Sequence, residues 1–243
     1  MVRSWLPVVF TLIIALSHPI LISHAVILTC QSCLGGGGGG CGNIGGDGFN
    51  PVDGGGGGDG CSPIIVDVSG RGFQLTDAQS GVQFDITGIG KPMQIAWTAQ
   101  GSMNAFLVFD RNNDGLINSG SELFGNFSPQ PKSRFPNGFI ALAQFDKKEN
   151  GGNGDGILDN RDAIFSELRL WIDSNHDGIS QPDELFKLPD MGLFSISLAY
   201  KESRRTDQFG NLFRYRSEIN VFHEQRDQSQ ASPVAYDVFL TTN

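Results

Sequence analysis

Between Asp110 and Glu184 the chain returns three times to one short arrangement: oxygen-bearing side chains at alternate positions, then Asp-Gly. A hard cation such as Ca²⁺ takes 6 to 8 oxygens, and a loop with ligands at positions 1, 3, 5, 7 and 9 and glycine at 6 wraps one ion. The first copy follows the strand-like Ala105-Phe-Leu-Val-Phe109. In it Asp110, Asn112 and Asp114 offer side-chain oxygens, Leu116 its carbonyl, and Asn118 a side chain or a bridging water, while Ile117 packs inward. Position 12 is Ser121, so Glu122, one residue on, is expected to close the site.

A second copy matches best, with Asp173, Asn175 and Asp177, the carbonyl of Ile179, and Glu184 at position 12. Its departure is Ser180 at position 8, where an apolar residue normally holds the loop to its partner. Between these lies a third, with Asn153, Asp155, the carbonyl of Ile157, Asp159 and Asp162, but Gly151 at position 1. There an insertion over 146–152 displaces the first aspartate, and Asp146, Glu149 or Asn150 are the candidates to fold back in its place. Each carboxylate also has an ordinary reading as a turn residue or helix cap. Repetition favours the cation, and mixed carboxylate, amide and carbonyl oxygens suit Ca²⁺ better than the strictly octahedral Mg²⁺. Two earlier segments, at Asp67 and Asp85, keep the Asp and Gly spacing but carry Arg71 and Ile89 at position 5, and read as turns without metal.

The N-terminus reads differently. Met1 to Ala25 has Arg3 as its only formal charge, an apolar run from Trp5 to Leu16, and Ser23-His-Ala25 at the end, the pattern of a cleaved export signal. Over 35–60, 16 of 26 residues are glycine, a flexible tether that cannot repay its ordering by burying side chains. All four cysteines, Cys30, Cys33, Cys41 and Cys61, lie in the stretch after the signal, and in an exported chain they imply two disulfides of open pairing. The organisation expected is therefore signal peptide 1–25, Cys- and Gly-rich tether 26–62, and one globular domain 63–243. A secreted or cell-surface location follows, with no membrane span after cleavage.

With 26 acidic against 17 basic residues and a net charge of −9, the surface suits cations and not a nucleic-acid backbone. The basic cluster of Lys201, Arg204, Arg205, Arg214 and Arg216 reads as the solvent face of a hairpin, with docking to an anionic surface glycan as the alternative, and the partner expected for the whole chain, beside calcium ions, is a cell-surface glycan or protein. Alternation and turn residues predict strands over 63–68, 72–75, 81–86, 94–97, 105–109, 193–200, 212–222 and 234–240. Helices are expected over 138–145, 160–171 and 182–187; in the second, Ile164, Leu168 and Trp171 recur at the spacing of one buried face. The fold class expected is α+β, with strand-rich ends flanking a central pair of loops and short helices.

Leu107 to Gly125, Leu168 to Leu185 and Gly192 to Leu198 resemble bacterial exported proteins with EF-hand-like calcium repeats, a block also found in some haemolysin-type calcium-binding proteins. The resemblance implies Ca²⁺ at Asp110, Asn112, Asp114 and Glu122, and at Asp173, Asn175, Asp177 and Glu184, in an EF-hand-like central pair. The glycine-rich nonapeptide repeats of toxins are missing, so cytolysis is not implied. No Gly-x-Ser-x-Gly elbow or His-Glu-x-x-His pair is present. The reading is an exported structural or surface-binding module stabilised by Ca²⁺, with a carboxylate-based hydrolase of polysaccharide or peptidoglycan as the alternative.

Overall fold

Alternate apolar and polar positions, with β-branched residues in the runs, produce strands throughout the domain. The computed structural model describes residues 60–221 and 233–243. The expected signal peptide, nearly all of the tether, and Cys30, Cys33 and Cys41 lie outside them. No disulfide joins two described residues, since Cys61 is the only described cysteine.

Eleven strands form: β1 (Ile64–Asp67), β2 (Val82–Phe84), β3 (Met93–Ile95), β4 (Asn104–Val108), β5 (Ile157–Asp159), β6 (Arg169–Trp171), β7 (Leu185–Lys187), β8 (Leu193–Ser197), β9 (Lys201–Thr206), β10 (Leu212–Val221) and β11 (Val234–Phe239). Nine of them make one antiparallel sheet in the order β5-β8-β10-β11-β1-β4-β6-β7, with β9 also on β10. This sheet curls into a half-barrel. β2 and β3 form a separate hairpin.

The central strands are buried on both faces, so they read as continuous apolar runs. Along β4, Ala105 and Leu107 enter one core while Phe106 and Val108 enter the other. The first core is closed by α1 (Gly138–Leu142) and the segment carrying Leu158, Ile164 and Phe165. The second is closed by the β2–β3 hairpin and Trp97, whose ring lies 4.3 Å from Phe106 and 5.5 Å from Trp171.

The α+β expectation, with its central helical pair, is overturned: the described residues are mostly β, and α1, five residues long, is their only α-helix. The helix expected over 160–171 is a 3₁₀ turn at Ala163–Ser166 followed by β6. Helical spacing loses there because Leu170 and Trp171 are needed on opposite faces of the sheet, and they pair with Leu107 and Phe106 of β4. At 182–187 a 3₁₀ turn, Pro182–Glu184, leads directly into β7. Without a helix on either side, none of the loops is an EF-hand. Of the expected strands, 72–75 keeps a single bridge, Leu75 to Thr98, while Lys201–Thr206 forms a strand that was not expected.

Candidate metal centre

The loops are built from one backbone turn. Numbered from the aspartate at position 1, the first carries positive φ at Asn113 (58°) and Gly115 (84°), positions 4 and 6. Positions 4 and 6 in the loop at Asp173 are His176 (63°) and Gly178 (71°), and in the inserted loop Gly154 (77°) and Gly156 (82°). The turns at Asp67 and Asp85 share it, through Gly70 and Gly72 and through Gly88 and Gly90. Left-handed backbone disfavours most side chains, which is why Gly, Asn and His recur at these two places.

In each turn a carboxylate closes the ring by accepting from the glycine N–H at position 6. Asp110 Oδ2 takes Gly115 N at 2.9 Å, Asp173 Oδ2 takes Gly178 N at 2.9 Å, Asp67 takes Gly72 N and Asp85 takes Gly90 N, both at 2.6 Å. The inserted loop settles its missing first aspartate the same way. Asp146 folds back, its Oδ2 accepting from Gly156 N and its Oδ1 from Gly154 N, both at 3.0 Å. Glu149 and Asn150 do not make this closure; Asn150 bonds instead to the carbonyl of Gln144. Since Asp67 and Asp85 close equally well with no ligand set, the closure is a turn device that needs no ion.

What separates the loops is the oxygen left over. Asp67 and Asp85 spend theirs on Ser69, Gly70, Thr87 and Ile89. Asp173 Oδ1 accepts from His176 N and Asp177 N, and its Oδ2 also accepts from Trp97 Nε1 at 2.8 Å. Among the first aspartates only Asp110 keeps an oxygen, Oδ1, that is buried with no partner; in the Asp173 loop the bare oxygen is Gln181 Oε1, at position 9. Oxygens of Asp110, Asp114 and Glu122 lie within 4.8 Å of one another, the only such group of three among the described residues. The loop at Asp173, the better match by sequence, does not form one.

Glu122, not Ser121, closes the first loop. It is 2% exposed and accepts from Arg111 N at 3.3 Å and Asn118 N at 3.0 Å. Burial pushes its carboxyl above the usual range; those two bonds oppose the rise, and the charges of Asp114 and Asp110 add to it. Asp162 and Glu184 hold the matching place: Asp162 accepts from Asn153 N and Asp159 N, and Glu184 from Ser174 N and Gln181 N. Asp114 accepts from Leu116 N, which holds its carboxyl below the usual range. Asn112 and Asn118 both donate side-chain N–H to Asp114 Oδ2 at 2.9 Å. Their amides therefore present nitrogen there, and offering oxygen to an ion requires them to flip. Asn175 does the same to Asp177, and Asn153 to Asp155 at 3.1 Å. Asp155 and Asp159 are also paired with Arg161 at 2.6 Å, a cation of the chain's own on that loop.

Leu116, Ile157 and Ile179 at position 7 are exposed, and the position-8 residues Ile117 and Leu158 are buried. Ser180, which looked out of place by sequence, is buried and accepts from Ile117 N at 2.7 Å, so it joins the two better loops. His176 does not point to water as its position suggests: its ring nitrogens lie 2.8 Å from the carbonyl oxygens of Thr98 and Ser80. Trp97 and His176 thus fasten the Asp173 loop to the second core. Partners 76 and 78 residues away carry no local sequence signal.

Among the described residues no helix is long and apolar enough to cross a membrane. Fold and loops together define an antiparallel β-domain bearing repeated Asp–Gly turns. The SPM domain family model matches residues 64–236, from β1 into β11, and the chain belongs to that family. It is also similar to the iron-regulated protein FrpA of Neisseria meningitidis serogroup C, 36% identical over 152 residues. That match covers 61% of this chain and 13% of FrpA, so the chain spans a small part of that relative's length.

Proposed function

We propose that this protein is an exported calcium-binding β-domain whose principal site is the loop from Asp110 to Glu122. The observation that carries this reading is Asp110 Oδ1, a buried carboxylate oxygen with no donor, grouped with oxygens of Asp114 and Glu122. A buried acceptor left bare is costly, and three neighbouring carboxylates repel; one divalent cation answers both. The carbonyl of Leu116 and the amides of Asn112 and Asn118 complete a set of hard oxygens suited to Ca²⁺. The loops at 153–162 and 173–184 are weaker sites, because Arg161 occupies one and the first aspartate of the other is spent on four donors. Outside a cell Ca²⁺ is near ~1 mM, where a loop with a dissociation constant of ~10⁻⁴ M adds about 1.4 kcal/mol of stability. Export by the N-terminal signal places the domain in that setting. The partner of such a module is proposed to be a surface glycan or protein.

Calorimetric titration of the full chain with Ca²⁺ tests the reading. One dominant site is expected, abolished by Asp110→Asn or Asp114→Asn and little changed by Asp177→Asn. Equal heats from the native chain and Asp114→Asn would sink it.

A further inference from the structure

Asp237 stands apart from the loop carboxylates. It lies on β11, across from Ile64 of β1 and Tyr215 of β10, and no part of it reaches solvent. Its Oδ2 accepts from Gly138 N, the first residue of α1, at 2.8 Å. The Ser62 hydroxyl, just before β1, favours the ionised form of the carboxyl. Oδ1 is buried with no partner.

The groups facing it supply little charge. From β10, the Arg214 guanidinium attracts it, but that cation lies 5.2–5.4 Å from the rings of Phe135, Tyr215 and Phe239, and no ion pair to Asp237 forms among the described residues. The Tyr215 phenol on the same strand is itself pushed up, chiefly by burial, with Asp237, Glu202 and Tyr200 adding. α1 offers the Gly138 N–H and β1 the apolar Ile64. An ionised carboxylate here would be a buried, nearly unpaired charge with one oxygen bare, an expensive state. A neutral acid keeps Oδ2 as acceptor and places its proton on Oδ1.

We propose that Asp237 is a proton-dependent latch, holding β11, the entry to β1 and the start of α1 together as a neutral acid, so that ionising it loosens the domain. Burial pushes its carboxyl up to about 6, against the Ser62 hydroxyl, the bond from Gly138 and the attraction of Arg214. An unfolded aspartate titrates near ~3.9. Because the folded value is the higher, the latch stabilises fully below the unfolded value, and its contribution is lost as pH rises through about 6.

Thermal melts of the full chain and of Asp237→Asn, run at intervals between roughly pH 4.5 and 7.5 across this titration, test it. Asparagine keeps an acceptor for Gly138 N but does not titrate. The melting temperature of the native chain is expected to fall relative to the variant as pH rises, with the gap widening through pH ~6 and levelling near ~7. A gap independent of pH overturns the latch. Should the variant not fold, the carbon-13 signal of the native Asp237 carboxyl gives the answer. Titration near pH ~6 supports the latch, and a carboxylate already ionised at pH ~4.5 overturns it.

Discussion

Arg111 shows how much one side chain can set in the first loop. It stands at position 2, yet its guanidinium is turned inward, 5.3 Å from the ring of Phe109 and 5.5 Å from those of Phe124 and Phe145, with Nε donating to the Ser121 carbonyl at 2.6 Å. Burial pulls it down to about 10, opposed by the charge of Glu122. A fixed positive charge beside three carboxylates competes with any ion they would hold. Arg111→Met removes the charge and keeps an apolar filling among the rings, so Ca²⁺ affinity is expected to rise about tenfold, or ~1.4 kcal/mol, by calorimetry. Arg111→Lys keeps the charge and is expected to stay within about twofold of the native value. Gly138 makes a separate point about space. A Cβ there would come within 2.5 Å of Ile64 Cγ1 and the Phe124 carbonyl. Gly138→Ala is expected to cost ~1–3 kcal/mol in urea unfolding, since α1 must lift from the sheet.

Among the elements, β6 is the instructive case. Ile164, Leu168 and Trp171 repeat at intervals that suit a helix, and nothing local contradicts it; the decision comes from β4, which takes Arg169, Leu170 and Trp171 as an antiparallel partner. Strands with clear alternation, such as β10 with its buried Phe213, Tyr215, Ser217, Ile219 and Val221, are legible from sequence because each residue's face follows from its neighbours. The turn at Asp110 was legible too, as was the approach of Glu122, one residue past Ser121, to Asp110 and Asp114. Asp146 was legible only as one of three candidates, because an insertion breaks the spacing that would have fixed it. Which first aspartate keeps a bare oxygen was not legible: that depends on how many donors each meets, and Trp97 comes from a distant segment. Leu170→Ala, which empties a fully buried position behind β4, is expected to cost ~2–5 kcal/mol in denaturant unfolding without changing Ca²⁺ binding at the Asp110 loop.

At the scale of the molecule, the loops hang on a sheet with its own two cores. Excess chelator is therefore expected to lower the melting temperature by a few degrees while the far-ultraviolet spectrum of the β-sheet persists, as the loop turns close without an ion. Collapse of that spectrum on chelation would mean the ions hold the fold itself. The sheet order also carries a temporal consequence. β11, drawn from residues 234–239, is inserted between β10 and β1 and supplies the middle rung of the ladder. A chain made from its first residue onward cannot zip β1 to β10 until β11 has arrived. Until then the domain is two separate sub-sheets, one ending on an unpaired edge of β1 and the other on an unpaired edge of β10, each a template for a foreign strand.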